Sequence, residues 1–477
     1  MYMYLTQFKG CHFLLMLQIC FFWKFDFLFI LFYIYIYIYF TKVVLSVMSR
    51  VVSLIQGNIV TPSEVIYDGF VVVADGVIEN VGGSASLPSE NDLQQRYDNA
   101  QIEIVEGGFI LPGFVDIHNH GIGGADDVIG YWTNPEYTLR ELARCGTLCA
   151  LASIVFSDDH KHLVKKCIEE VEKRVGAYIP DCCLLGGIHA EGPVINDRGG
   201  LPACENRWNL ESFKKLCATM PSMRIMTISP HIDARSNYEL IGYLLRLGVR
   251  PSLGHDRVAT KKEILGALKL APSERDKLHV THMHNVMSFA HRNPSLVNVA
   301  LCSSFPNAEI YRGAIPPYVE IIGDLVHTDA IPLHVTISSR GCDDVALITD
   351  CISENLPGKR FSYNGRLSCV RAEGGCSLCD ASGRPTKTLA GGTSSLADQF
   401  MNLVTLFRVD LISACKMVAT TPAKIARLDG VGSIERGKKA NILILNSELN
   451  TITKRMIYGK WTAHAEYRLL RPSVSHM

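Results

Sequence analysis

Between residues 109 and 430, short apolar runs alternate with amphipathic stretches, and this alternation restricts the fold more than any other feature of the chain. The strand candidates are Phe109–Val115, Leu148–Phe156, Leu184–His189, Arg224–Ser229, Arg250–Gly254, Leu278–Thr281, Val319–Val326 and Val345–Thr349. Between them, His160–Val175, Asn209–Met220, Tyr238–Leu247 and Lys261–Leu270 carry apolar residues at helical spacing. Eight strands alternating with helices predict a parallel sheet closed into a (β/α)8 TIM-like barrel. The connection after Val286 is irregular, being long and carrying an extra apolar segment, Val297–Cys302. The two ends of the chain read differently. From Met48 to Gly108, short apolar runs are broken by Asp68-Gly69 and Asp75-Gly76, which are hairpin cues, and Gly432–Thr462 has the same texture. Neither end has enough strands for a stable sheet alone. Residues 48–108 and 431–467 are therefore expected to combine into a small β-sandwich beside the 109–430 barrel, with 468–477 as a tail.

Composition narrows the function classes. Lys+Arg and Asp+Glu are both 47, so the formal net charge is zero and nothing global attracts nucleic acid or an anionic membrane. The 16 cysteines are scattered without a scaffold spacing and read as reduced, mostly buried thiols of a cytoplasmic protein. The lone C-x-x-C, Cys376 to Cys379, lacks the second pair that a zinc knuckle needs and is expected to be plain loop. Residues 1–47 stand apart. Cys20–Phe40 is long enough to cross a bilayer but is interrupted by Lys24 and Asp26. The Tyr33–Tyr39 run alternates Tyr and Ile, which is what a TATATA nucleotide repeat encodes. The expectation is non-coding sequence carried into the reading frame, with a signal anchor or a targeting segment as alternatives.

In a barrel of this kind the chemistry lies at the C-terminal ends of the strands. The first predicted strand leads into Asp116, His118 and His120, whose i, i+2 imidazoles share a face. Alone, a His-x-His pair is more often two histidines at a loop edge than a metal site. The third strand leads to Glu191, the fifth to His255, the sixth to His282, the seventh to His327 and the eighth to Asp350. Each would be unremarkable singly; their joint placement at strand ends is not. Histidine and carboxylate ligands suit Zn2+ or Fe2+ with a position left open for water. A carboxylate such as Asp350 facing that water can take its proton and return it to a leaving group. The set describes metal-assisted hydrolysis.

From about Val51 to Ala463 the chain resembles the N-acetylglucosamine-6-phosphate deacetylase family of the amidohydrolase superfamily. The likeness rests on Pro112-Gly-Phe-Val-Asp-x-His-x-His120, His189-Ala-Glu-Gly-Pro193, Ser252-Leu-Gly-His255 and Thr281-His-x-x-Asn-x-Met287. It continues in Leu347-Ile-Thr-Asp350, Thr388-Leu-Ala-Gly-Gly392 and Gly432-Ser-Ile-Glu-Arg-Gly-Lys-Lys-Ala-Asn441. The resemblance implies hydrolysis of a phosphorylated amino sugar, N-acetyl-D-glucosamine 6-phosphate, to D-glucosamine 6-phosphate and acetate. It implies that Glu191, His255 and His282 are the principal metal ligands and Asp350 the catalytic acid/base. It implies that Asn285, Val286, His327, Gly200, Leu201 and Leu389, Ala390, Gly391 and Gly392 line the substrate. It also implies a homodimer in which Arg292 reaches the phosphate of the neighbouring subunit. The metal is expected to be Zn2+, with Fe2+ as alternative, at one or two ions per subunit; retention of both His118 and His120 makes a second ion, bridged by Glu191, possible. One departure stands out. Where the family has Lys-Gly-x-His, this chain has Asn196-Asp-Arg-Gly-Gly-Leu-Pro202, and Leu201 cannot donate the hydrogen bond of that His to the acetyl carbonyl. The rival readings are another amidohydrolase, acting on a cyclic amide or other N-acyl sugar, and a catalytically impaired family member.

Overall fold

The fold, taken from a computed structural model, is described for residues 51–98, 100–122, 132, 134–363 and 365–470. The expectations for residues 1–47 fall outside that range. Among the described residues no helix is long and apolar enough to cross a membrane. The chain separates into two units, the smaller of which includes Pro88–Glu103 and the larger Ser53–Leu87 with everything from Ile104 onward. The smaller holds a helix, Glu90–Arg96, which the strand-and-turn reading of this region did not anticipate. It starts at a reciprocal cap, with Ser89 Oγ accepting from Asp92 N at 3.1 Å and Asp92 Oδ2 accepting from Ser89 N at 3.0 Å.

Within the larger unit eight parallel strands, β1 to β8, are hydrogen-bonded in chain order: Phe114–Asn119, Thr147–Val155, Leu184–Glu191, Met223–Ile228, Arg250–Leu253, His279–Val280, Tyr318–Ile322 and Val345–Ile348. The first and last are joined where Asp350 N donates to His118 O and His120 N donates to Cys351 O, both at 2.9 Å, so the sheet closes as the (β/α)8 alternation predicts. β2 and β3 are buried at every position, which is why their sequences are continuous apolar runs rather than alternating ones. The intervening helices are amphipathic for the complementary reason. Lys161–Glu172 buries Val164, Cys167, Ile168 and Val171, a single stripe at i, i+3, i+4 and i+7. The long connection after Val286 contains the helix Leu296–Ala300.

Both chain ends contribute to one sheet, whose strands run in the order Lys460–Trp461, Thr451–Ile457, Ile442–Leu445, Gln101–Pro112, Val51–Val60, Val65–Ala74 and Val77–Gly83. Ile442 lies opposite Pro112 and Leu445 opposite Phe109, so the C-terminal segment is inserted directly beside the strand that leads into the barrel. Ile55, Ile59, Val71, Ile78, Ile110, Ile442, Ile444 and Met456 share its core.

Three local expectations are corrected. The run from Phe109 to Val115 is two strands, split at Gly113 between the end sheet and β1. Gly113 N donates to Asn441 O at 2.8 Å, and a Cβ there would lie 2.7 Å from the Leu148 side chain, so the chain changes sheets at a residue with no room for a side chain. The seventh strand stops at Ile322 instead of Val326. Asp324 Oδ1 accepts from the backbone N of Val326 and of His327, at 2.9 and 3.0 Å, and this side-chain-closed turn replaces the next ladder bonds. Finally, Arg360–Tyr363, Arg366–Val370, Cys376–Cys379 and Pro385–Gly391 form an antiparallel sheet following β8. The C-x-x-C is thus strand, not loop, and residues three apart on a strand face opposite ways. Every described cysteine is free.

Candidate active site

The ends of β1, β3 and β8, with the turns after β5 and β6, bring six of the expected residues into one cluster. Glu191, the last residue of β3, is at its centre. Its Oε1 lies 3.0 Å from His255 Nε2 and 3.1 Å from His282 Nε2, and its Oε2 lies 3.2 Å from His120 Nε2. His118 Nε2 is 3.6 Å from Glu191 Oε1 and 3.6 Å from Asp350 Oδ1, while His120 Nε2 is 3.1 Å from the same Asp350 oxygen. His255, His282 and Asp350 adopt left-handed backbone conformations, with φ of 51, 25 and 47°. Such torsions are costly for residues with a Cβ and persist where the surroundings over-determine them. Here they fall where the chain leaves β5, β6 and β8.

The hydrogen bonds around the cluster decide what it can hold. His255 Nδ1 donates to Asp197 O at 2.8 Å, so its Nε2 carries a lone pair. His118 Nδ1 donates to Glu320 Oε1 at 2.6 Å, so in the neutral ring its Nε2 likewise carries the lone pair. Those lone pairs point at carboxylate oxygens, and His255 Nε2 also lies 3.0 Å from His282 Nε2. Acceptors facing acceptors repel unless a cation lies among them. Glu191 Oε2 and His118 Nε2 are buried with no hydrogen-bond partner among the described residues. Two donor sets with all atoms within 4.8 Å of one another therefore suit a divalent metal: Glu191–His255–His282 and His118–His120–Glu191. The electrostatics agree. Burial alone would push His120 down, but Asp350 and Glu191 outweigh it and bring the imidazole to about 9; His118 is likewise raised by Glu320 and Glu191 against burial. The carboxyls move the other way: burial raises Glu191 and Asp350, yet the adjoining histidines hold both below the ordinary range. The cluster favours positive charge between its groups.

A third set, His118–His189–Glu320, is equally close but different in kind. Both His189 nitrogens are engaged, by Ile117 O and Thr227 Oγ1 at 2.9 Å each, and burial lowers this imidazole to about 3. His189 is a neutral packing group. Asp116 is also internal: it accepts from Thr349 Oγ1 at 2.6 Å and Asn119 Nδ2 at 3.0 Å and ties β1 to β8.

The remaining expected residues fall into two groups. Asn285 and Val286 are half-buried in the turn following His282. Gly199 approaches Val286, since a Cβ on it would lie 2.7 Å from Val286 Cγ2; Gly200 likewise approaches Leu389 O, at 2.8 Å. The Asn196–Pro202 segment, Val286 and Leu389–Gly392 are thus contiguous, with Leu201 half-buried among them. Gly392 N donates to Asp350 O at 2.6 Å, which links that loop to the acid/base candidate. The His327 side chain is buried; its Nδ1 donates to Asp324 Oδ2 at 2.7 Å and its Nε2 has no partner among the described residues. Arg292 is not brought in. It is exposed, and no described residue forms an ion pair or hydrogen bond with it.

Glu320 was missed by the sequence reading. It is fully buried in β7 and also accepts from His282 N at 2.9 Å. Its signal was present as the single charge within the apolar run Tyr318–Ile322.

No family model matches the chain. It is 26% identical over 408 residues to the N-acetylglucosamine-6-phosphate deacetylase of Bacillus subtilis, covering 83% of this chain and 93% of that protein. It is 24% identical over 389 residues to the N-acetylgalactosamine-6-phosphate deacetylase of Escherichia coli O157:H7, covering 79% and 90%. Among solved structures, that of N-acetylglucosamine-6-phosphate deacetylase from Pasteurella multocida superposes with a TM-score of 0.69 at 22% identity, over 87% of this chain and all of that one, a likeness of fold.

Proposed function

We infer that this protein is a metal-dependent deacetylase that hydrolyses N-acetyl-D-glucosamine 6-phosphate to D-glucosamine 6-phosphate and acetate in amino-sugar catabolism. The observation that carries the reading is the meeting of Glu191, His255 and His282 with Asp350 at the mouth of the barrel, in a chain similar over most of its length to deacetylases of phosphorylated amino sugars. Glu191, His255 and His282 would hold the principal ion and His118, His120 and Glu191 a second, with Zn2+ the proposed metal and Fe2+ the alternative. A bound divalent ion supplies Lewis acidity and lowers the pKa of water to about 7.

The chain's own residues supply the proton handling and the grip. Asp350, kept ionised, accepts the proton of the attacking water at a carboxylate oxygen and delivers it to the departing amine nitrogen. Asn285, Val286, Gly200, Leu201 and Leu389–Gly392 line the sugar. His327 presents its free Nε2 to the substrate, oriented by Asp324. Arg292, exposed in its own subunit, reaches the phosphate of a neighbour, so the active form is a homodimer. Leu201 contributes no donor to the acetyl carbonyl; a second ion held by His118, His120 and Glu191 would supply Lewis acidity in place of that donor. The enzyme works in the cytoplasm.

The test is acetate release by the metal-loaded protein from N-acetylglucosamine 6-phosphate, its 4-epimer N-acetylgalactosamine 6-phosphate, and unphosphorylated N-acetylglucosamine. The reading requires the highest kcat/KM on the first. Faster turnover of the unphosphorylated sugar, or none of any, would refute it.

A further inference from the structure

Arg366 forms no side-chain hydrogen bond or ion pair with a described residue. It begins the strand Arg366–Val370 directly across from Tyr363, and cross-strand partners of this kind project to one face about 5 Å apart. The Tyr363 ring packs edge-on to His120, with centroids 6.2 Å apart, so the hairpin carries Arg366 to the rim of the metal-ligand cluster. Arg366 Nε and Nη2 are buried and have no hydrogen-bond partner among the described residues. Burial lowers the Arg366 pKa; the Tyr363 phenol across from it works upward, and the Arg198 guanidinium, of the same sign, works downward with burial. Arg198 is exposed and pairs with no described carboxylate. The two lie on neighbouring segments. Arg198 lies on the segment whose Gly200 would put a Cβ 3.3 Å from Ala390 Cα, and Ala390 packs against the core of the Arg366 hairpin, Phe361, Tyr363 and Val370.

A guanidinium buried without an acceptor costs free energy, and a second cation beside it adds to that cost. Both costs are relieved by an anion with several oxygens, for which the planar fork of arginine is matched. The one anionic group of the substrate proposed above is its phosphate, a pyranose ring away from the acetamide. Resting on that reading, we propose that Arg366 and Arg198 form a clamp, within a single subunit, for the 6-phosphate of the sugar. Phosphate recognition then has a part that does not depend on assembly, in addition to the part played by Arg292.

The test uses the full-length, metal-loaded protein and three variants. Arg366→Gln should raise KM for N-acetylglucosamine 6-phosphate about 10- to 100-fold with little change in kcat, the range expected for lost hydrogen bonds to a charged group. Arg198→Gln, on an exposed loop, should raise it severalfold. Arg366→Lys, which keeps the charge without the fork, should fall between wild type and Arg366→Gln. The preference in kcat/KM for the phosphorylated over the unphosphorylated sugar, and inhibition by inorganic phosphate, should weaken by matching factors. Equal losses on both sugars, or unchanged inhibition by phosphate, would overturn the clamp. Because Arg198 is exposed, its variant remains informative if Arg366→Gln does not fold. If wild type releases no acetate, the deacetylase reading fails, and calorimetry of inorganic phosphate binding to wild type and Arg198→Gln still decides the clamp: weaker binding by the variant supports it, equal binding overturns it.

Discussion

Replacing Glu320 by Gln keeps the shape of the side chain and removes its charge. The carboxylate accepts from His118 Nδ1 at 2.6 Å and from His282 N at 2.9 Å, and its second oxygen lies 3.5 Å from His279 Nε2. His118 and His282 are both proposed metal ligands, so Glu320 acts on the metal sites through them. Hydrogen bonds to a charged partner are worth about 1.5–3 kcal/mol and neutral ones about 0.5–1.5 kcal/mol, so each of the two bonds weakens by about 1–1.5 kcal/mol in Glu320→Gln. Together that is about 2–3 kcal/mol, part of which is felt equally with and without metal. The expected loss in metal affinity is therefore about 10- to 100-fold, in line with what removal of such supporting carboxylates costs elsewhere. Competition against a chelator, followed by metal analysis, measures it, and circular dichroism confirms that the variant is folded. Affinity within about twofold of wild type would show that Glu320 is only a packing group and that the cluster is not organised around a cation.

Other consequences are open to measurement. Burial pulls His327 down, but Asp324 outweighs it, so the imidazole holds its proton above the ordinary value and loses it only as pH rises through that raised value. KM for the phosphorylated sugar should rise as pH increases through that raised value. In Asp324→Asn burial is opposed by Asp350 alone and the rise should move to lower pH; identical KM–pH profiles would refute the role given to this pair. Gly392→Ala would place a methyl 2.3 Å from Thr349 O, a clash relieved only by moving backbone bonded to Asp350. A stability loss of about 1–3 kcal/mol in urea melts is expected, with reduced turnover, and wild-type stability would contradict the packing described. His120→Gln should lower metal content from two ions to one per subunit; unchanged stoichiometry would remove the second site.

Much of the fold was legible because barrel strands buried on both faces leave continuous apolar runs, and helices leaning on them leave stripes. Legibility failed where hydrophobicity carries no boundary. The run from Gly107 to Val115 stays apolar while the chain passes from one core to another, and only Gly113 marks the crossing. At Asp324 a side chain ends β7, an effect that apolar periodicity does not register. The Arg360–Gly391 sheet consists of short strands with one face partly exposed, interrupted by turns, and so resembles a loop. In the site, residues at strand ends were found because chemistry is expected there. Glu320 lies inside a strand and was passed over as part of the apolar run, and Arg366 lies in the unread sheet. Neither follows from spacing; both become visible only when their hydrogen-bonding groups are followed in three dimensions.

The central claim, that Asp350 moves the proton in hydrolysis of a phosphorylated N-acetyl amino sugar, is tested most directly by measuring acetate release and metal content together in wild type and Asp350→Asn. With metal content unchanged, the variant should turn over N-acetylglucosamine 6-phosphate at least about 100-fold more slowly, the scale of positioned acid–base catalysis. A metal-replete variant within a few-fold of wild type would contradict the account.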